Sequence, residues 1–344
     1  MESFIDFLEV ITALLDEEHP FPVRFLHRFS DLSLVEAKEL KTIWKEIDPV
    51  RRAALLTDLE EINDKDTLVN FGSVALLGLK EADPIARGTA IRLLENTEDR
   101  KVIPLLIALM HTDPDEKVRA EAAFGLGNYV LEGELDKIPD PVYDDMMTHL
   151  LAVINGVDSP LVRRRALEAA SYSCREEIPE LILKAYAEKG REWLVTALFS
   201  MGRSADPQWE KEVLHHLDDQ DEDVKLEAIQ AVGEIELKSA SQPLLDILEA
   251  GVDDEDLQNA IIWSLSKIGG EGFRPMIEKK LDESTDDEES EFLQEALDNL
   301  AFTEDMPIKE ILEIKPPHKK DLEHIIRLED EIEEEDDLPE DDDN

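Results

Sequence analysis

The chain has 344 residues, of which 42% are hydrophobic, 35% charged and only 6% aromatic, and its formal net charge is -48. That charge argues against direct binding to a phosphate backbone or an anionic membrane surface, because both depend on clustered Lys and Arg. A single cysteine, Cys174, excludes an intramolecular disulfide and a Cys-based metal cluster.

Residues 1–46 hold two amphipathic stretches, Phe4 to Leu15 and Leu34 to Ile47, which read as an N-terminal helical cap or a degenerate first repeat. The start, Met1-Glu2-Ser3-Phe4, has no basic segment followed by an apolar run, so no secretory signal is expected. No apolar stretch approaches the length of a membrane span, and the expected location is cytoplasmic.

From residue 47 to 304 one small pattern recurs eight times, centred on Ala54, Ala90, Ala122, Ala166, Ala197, Ala228, Ser264 and Ala296. The spacings of 36, 32, 44, 31, 31, 36 and 32 residues are those of a solenoid of paired helices. Counting from the small residue as position 0, positions −4, 0, +1 and +4 are mostly apolar, as in Val118, Ala122, Ala123 and Leu126. At about 100° per residue these form one continuous helix face. Gly127, Gly202, Gly233 and Gly269 stand at +5, where a glycine commonly stops a helix. A shorter helix precedes each of these, with Pro104, Pro179 and Pro243 near its start. An acidic turn joins the pair. Five units carry a cation at −3 (Arg51, Arg87, Arg119, Arg163 and Lys225), preceded by Asp48, Asp83, Asp115, Asp158 and Asp221. These aspartates are expected to cap the second helix and to meet the cations as structural ion pairs.

The run Asp115-x-x-Val118-Arg119-x-x-Ala122-Ala123-x-x-Leu126-Gly127, after Pro104-Leu105-Leu106, resembles HEAT repeats, and is most similar to the short type also found in phycobilisome-lyase subunits. The resemblance covers 83–130 and 178–301 well. It is weaker over 47–82, where Asp58 occupies +4, and over 190–202, where Gly190 replaces the turn Asp. It implies an all-α fold, a right-handed α-α superhelix (HEAT-like solenoid), with the second helix of each unit lining the concave side. The 44-residue spacing marks an insertion near Tyr129 to Met146, expected as an ordered loop. Residues 305–328 are expected to form a C-terminal helical cap or docking segment around Pro316-Pro317. Residues 329–344, with twelve acidic groups and no basic one, are expected to be a disordered acidic tail.

Little here points to catalysis. No HExxH, phosphate loop or GxSxG is present. HEAT-like iron hydroxylases use paired His-Glu motifs, and no histidine of this chain is followed by Glu. Asp219-x-Asp221-x-Asp223 lacks the glycine and the terminal glutamate of a calcium loop. Cys174 is expected as a buried packing residue. No cofactor and no metal are expected.

Positions −1, +2 and +6 lie opposite the apolar arc and are expected to line the groove. Phe124, Tyr172, Phe199 and Trp263 fall there, with Arg165 and Arg203 among them and Glu227, Gln230 and Glu234 toward the acidic end. Aromatic residues beside arginines are frequent binding anchors. The function expected is therefore a non-enzymatic scaffold or adaptor that binds a basic protein segment in this groove. The competing reading is that Phe124, Phe199 and Trp263 pack against the preceding helix or the insertion. The functional alternatives are a lyase-like or cofactor-handling subunit, a chaperone-like binder of basic clients through the tail, and a purely structural helper within a larger complex.

Overall fold

The computed structural model describes residues 6 to 305 except 96 and 98. From residue 306 onward, the expected docking segment and the acidic tail lie outside the described residues. The chain divides into two compact units, Met1–Ser264 and Leu265–Asn344. Among the described residues all regular structure is helical.

In the first unit, α1 (Phe7–Leu15) precedes a series of helix pairs. These are α2 (Leu34–Ile43) followed by α3 (Pro49–Asn63), α4 (Gly72–Gly78) with α5 (Pro84–Arg92), and α6 (Val102–Thr112) with α7 (Glu116–Phe124). After the additional α8 (Gly127–Glu134) come α9 (Asp140–Ile154) with α10 (Pro160–Ala170) and α11 (Ile178–Ala187) with α12 (Arg191–Arg203). Then follow α13 (Glu210–His215) with α14 (Glu222–Glu234), then α15 (Ser241–Ala250) and α16 (Glu255–Ile268), within which the first unit ends at Ser264. In the second unit α17 (Phe273–Glu283) packs on α18 (Asp287–Asp305) around Phe273, Ile277, Leu293 and Ala296.

Local chemistry starts these helices. Asp48, Asp83, Asp115 and Asp221 each accept from backbone N–H groups at the start of α3, α5, α7 and α14. In the fourth pair the cap is Ser159 rather than Asp158. Pro49, Pro84 and Pro160 open their helices, where a missing N–H removes nothing.

The second helices form a continuous row, with α3 against α5, α5 against α7, α7 against α10, α10 against α12 and α12 against α14. Ala90, Ala122, Ala166, Ala197 and Ala228 are fully buried in it, as the pattern requires. The first repeat differs. Ala54 is exposed, and Leu55, Leu56 and Leu59 carry the buried face, so the register lies one residue later than the sequence reading placed it. The shift removes the anomaly of Asp58 at +4.

The shift also identifies the cation. Arg52, not Arg51, occupies the repeated position: it pairs with Glu81 through two 2.9 Å contacts and donates to the Trp44 carbonyl at the entry to its own turn. Arg87 meets Asp113 at 2.8 Å while donating to the Glu81 and Ala82 carbonyls. Arg119 meets Asp158 and donates to the Asp113 carbonyl. Each arginine thus ties its own turn to the acidic turn of the next pair. Arg51 instead donates to backbone carbonyls of Ala13 and His19, and Arg163 to that of Ile154.

Three further expectations need correction. Gly127, Gly202 and Gly233 do not end their helices; only Gly269 has a positive φ, of 74°. They allow close approach instead. A Cβ on Gly202 would lie 3.0 Å from the Ala231 Cα, and one on Gly233 2.9 Å from the Ser264 Cα. The insertion is α8 and the start of α9 rather than a loop, with Tyr129 buried and donating to the Thr97 carbonyl at 3.2 Å. Cys174 is exposed and non-helical; its N–H donates to Glu134, which also accepts from Tyr143.

Candidate functional site

The polar arc of α7, α10 and α12 carries a continuous strip of rings and guanidinium groups. Phe124 ends α7 and Phe199 lies in α12, two positions after the small residue in each. Both helices pack on α10 between them. Their rings nonetheless meet, with centroids 6.0 Å apart and planes inclined at 52°. The Arg165 guanidinium stands 4.8 Å from the Phe124 centroid, and that of Arg203 stands 5.0 Å from Phe199 and 5.8 Å from Tyr172. The order along the strip is Arg165, Phe124, Phe199, Arg203, Tyr172. All five side chains are half-buried. Stacked cations keep one edge wet while covering apolar ring area, a geometry worth about 0.5–1 kcal/mol per contact at exposed sites.

A carboxylate lies beneath this strip. Glu168 on α10 is buried at 4% exposure, salt-bridged to Arg165 at 2.7 Å and accepting from the Thr196 hydroxyl at 2.6 Å. A buried carboxylate is tolerable only with such partners. Thr89, Thr196 and Ser266 are buried as well, so positions −1, +2 and +6 are not uniformly open. Their side chains are small and sink between helices where longer ones stay at the surface. Position +2 alone does not foretell this burial, since Phe124 and Phe199 share it and stay half-buried. It follows from the crossing of α10 and α12, which brings Thr196 over Glu168.

Toward the acidic end, Arg203 approaches Glu234 at 3.6 Å. Glu227, on the neighbouring α14, is half-buried and makes no hydrogen bond or ion pair among the described residues. Burial first, and the Glu168 charge second, push its carboxyl up to about 7 against the opposing pull of Arg203 and Arg165. Burial likewise raises the Tyr172 phenol and, with the Glu121 charge, Glu95. Arg92 adds a second ionic cluster with Glu60 and Glu121.

The structure therefore brings together Phe124, Tyr172, Phe199, Arg165, Arg203, Glu227 and Glu234. Gln230 is exposed on α14. Trp263 stands on α16, 38% exposed, one second helix beyond Glu234. The Phe124 and Phe199 rings meet one another and the two arginines, and Tyr172 also lies against the start of the inserted α8, where a Cβ on Gly127 would stand 3.2 Å from its ring.

Among the described residues no three or more His, Cys, Asp or Glu side chains are grouped to hold a metal ion, and no helix is long and apolar enough to cross a membrane.

The family model of HEAT repeats matches residues 39–127, 72–171, 191–266 and 210–298. No curated protein matches the chain. Among solved structures, the E. coli protein YibA is similar at 17% identity and a TM-score of 0.41, covering 83% of this chain and 98% of its own. A designed armadillo repeat protein is similar at 18% identity and a TM-score of 0.33, covering 58% of this chain and 99% of its own.

Proposed function

Because this chain belongs to the HEAT-repeat family, whose stacked repeats make extended binding surfaces, we propose that it is a non-enzymatic scaffold that grips a segment of another protein along α7, α10, α12 and α14. Phe124, Phe199 and Tyr172 supply apolar contact and Arg165 and Arg203 planar donors. Glu227, Gln230 and Glu234, with Trp263 beyond them, receive the segment's basic end. The observation that carries this reading is the ring and guanidinium strip itself. Five large side chains hold one another in place half-exposed, although a helix-helix core would bury them. Aromatic and Arg side chains fixed before binding lose little conformational freedom on complex formation. The charge of -48 favours encounter with a basic partner.

The test is affinity capture from native lysate with the full chain, a Phe124→Ala/Phe199→Ala variant and a chain ending at Leu328. Circular dichroism and melting serve as fold controls. One defined protein held by the wild type and by the shortened chain, and lost with the two rings, supports groove recognition. Undiminished capture by the ring variant refutes it. A broad set of basic proteins lost with residues 329–344 refutes it too, and favours a chaperone-like role for the acidic tail.

A further inference from the structure

The first helices carry a second surface of opposite chemistry. Between α2, α4 and α6 runs a groove of about 490 Å³. Leu76, Leu77, Leu105 and Leu109 form its floor and walls, and Lys41 and Lys80 are the charged residues that line it. No carboxylate lines it, in a chain with 84 acidic and 36 basic residues. Neither lysine makes an ion pair among the described residues, whereas the arginines of this region are tied to carboxylates. Leu105 is 41% exposed. Leu34, seven residues before Lys41 and so on the same face of α2, is 92% exposed. Leucines left this open on neighbouring helices, with nothing in the chain's pattern of ion pairs to occupy the two cations, form an unfilled apolar trough with a positive rim. Such a trough accepts the apolar stripe of an amphipathic helix through anchors at i, i+3, i+4 and i+7.

We propose that this groove is a docking site for an acidic amphipathic helix of a partner protein, with leucine-type side chains seated among Leu76, Leu77, Leu105 and Leu109 and carboxylates meeting Lys41 and Lys80. Charge complementarity selects this occupant. A basic helix would bring cations against an uncompensated lysine pair, and an uncharged one would leave both lysines without partners. The two faces of the solenoid then take partners of opposite sign, basic on the second helices and acidic on the first. The salt dependences should also differ. Basic ligands lose affinity as salt screens the net charge, while an acidic helix held by apolar contact loses little, because the same screening relieves repulsion by the rest of the chain.

The test uses the full chain and a fluorescein-labelled amphipathic peptide with leucines at helical spacing on one face and glutamates on the other, read by fluorescence anisotropy. Lys41→Glu/Lys80→Glu and, separately, Leu105→Glu change only exposed side chains, so the fold is retained. Each is expected to weaken binding at least about tenfold, the effect of losing one anchor of such an interface. The Phe124→Ala/Phe199→Ala variant should bind the peptide as the wild type does, which separates this site from the strip on the second helices. Failure of the wild type to bind the glutamate peptide would overturn the proposal. So would affinity indifferent to both groove variants, or a lysine version of the peptide that competes at the same groove equally well. Concentration-dependent self-association in sedimentation, abolished by Leu105→Glu, would assign the groove to a second copy of the chain and overturn it as well.

Discussion

Replacing Glu227 by Gln should stabilise this protein at alkaline pH and do almost nothing in acid. Burial and the Glu168 charge disfavour the ionised form and push the folded-state carboxyl up to about 7 from its ordinary 4.5. A raised carboxyl means that the folded state binds the proton more tightly than the unfolded one. Below 4.5 both states are protonated and the group is neutral in its effect. As pH rises from there to about 7 the unfolded chain ionises freely while the folded one resists, so stability falls, and above 7 the penalty is fully present. At roughly 1.4 kcal/mol per pH unit the full shift corresponds to about 3 kcal/mol, and solvent access to the half-buried side chain reduces this to about 1–3 kcal/mol. Glutamine keeps the size and removes the charge. Urea unfolding of wild type and Glu227→Gln at about pH 5 and pH 8 measures the difference, in which the titration of all other carboxyls cancels. The reasoning is refuted if the variant gains equally at both pH values, or gains nothing at the higher one. A proton-detected titration of Glu227 with a midpoint near that of an exposed glutamate would refute it from the other side.

The remaining predictions concern the helix row. Arg87→Met leaves Asp113 buried without its partner, and should cost about 3–5 kcal/mol in chemical denaturation. Arg52→Met should cost more than Arg51→Met, because Arg52 holds the next pair's Glu81 while Arg51 contacts only backbone carbonyls; equal losses would refute the one-residue register shift. Gly233→Ala would force a Cβ to 2.9 Å from the Ser264 Cα and should destabilise by about 1–3 kcal/mol. Gly88→Ala, in mid-helix and with its new Cβ no closer than 3.5 Å to the Arg92 guanidinium, should instead stabilise by up to about 1 kcal/mol. Thermal melts of the two glycine variants check both signs at once.

Much of the candidate strip was legible as spacing. Phe124 and Phe199 share position +2, and Tyr172 and Arg203 share +6, which already puts them on one arc of their helices. That Phe124 reaches Phe199 across α10, with Arg165 closing on one side and Arg203 on the other, was not legible. It depends on how far each pair is rotated against the next. Trp263 shares the arc but stands one helix beyond the strip. The lysine-rimmed groove left no signal at all, since Leu76, Leu105 and Lys41 become neighbours only when three first helices are side by side.

What the sequence determined by itself are the features that depend on chain neighbours. The 31- to 44-residue period, the buried alanines of five second helices and the aspartate caps follow from helical periodicity and from a side chain reaching backbone N–H groups two or three residues on. The tertiary structure decided whatever depends on distance across pairs. Leu55 rather than Ala54 faces the core because the first pair packs that way. The +5 glycines serve contact rather than termination because the next helix lies so close that a Cβ on Gly202 would stand 3.0 Å from the Ala231 Cα. Each ladder arginine finds its carboxylate one repeat further on. Glu168 is held in place because Arg165 and Thr196 reach it, while Glu227 receives no such partner. Local periodicity specifies which face a residue occupies, but the partner it meets there is set by the packing of one pair on the next.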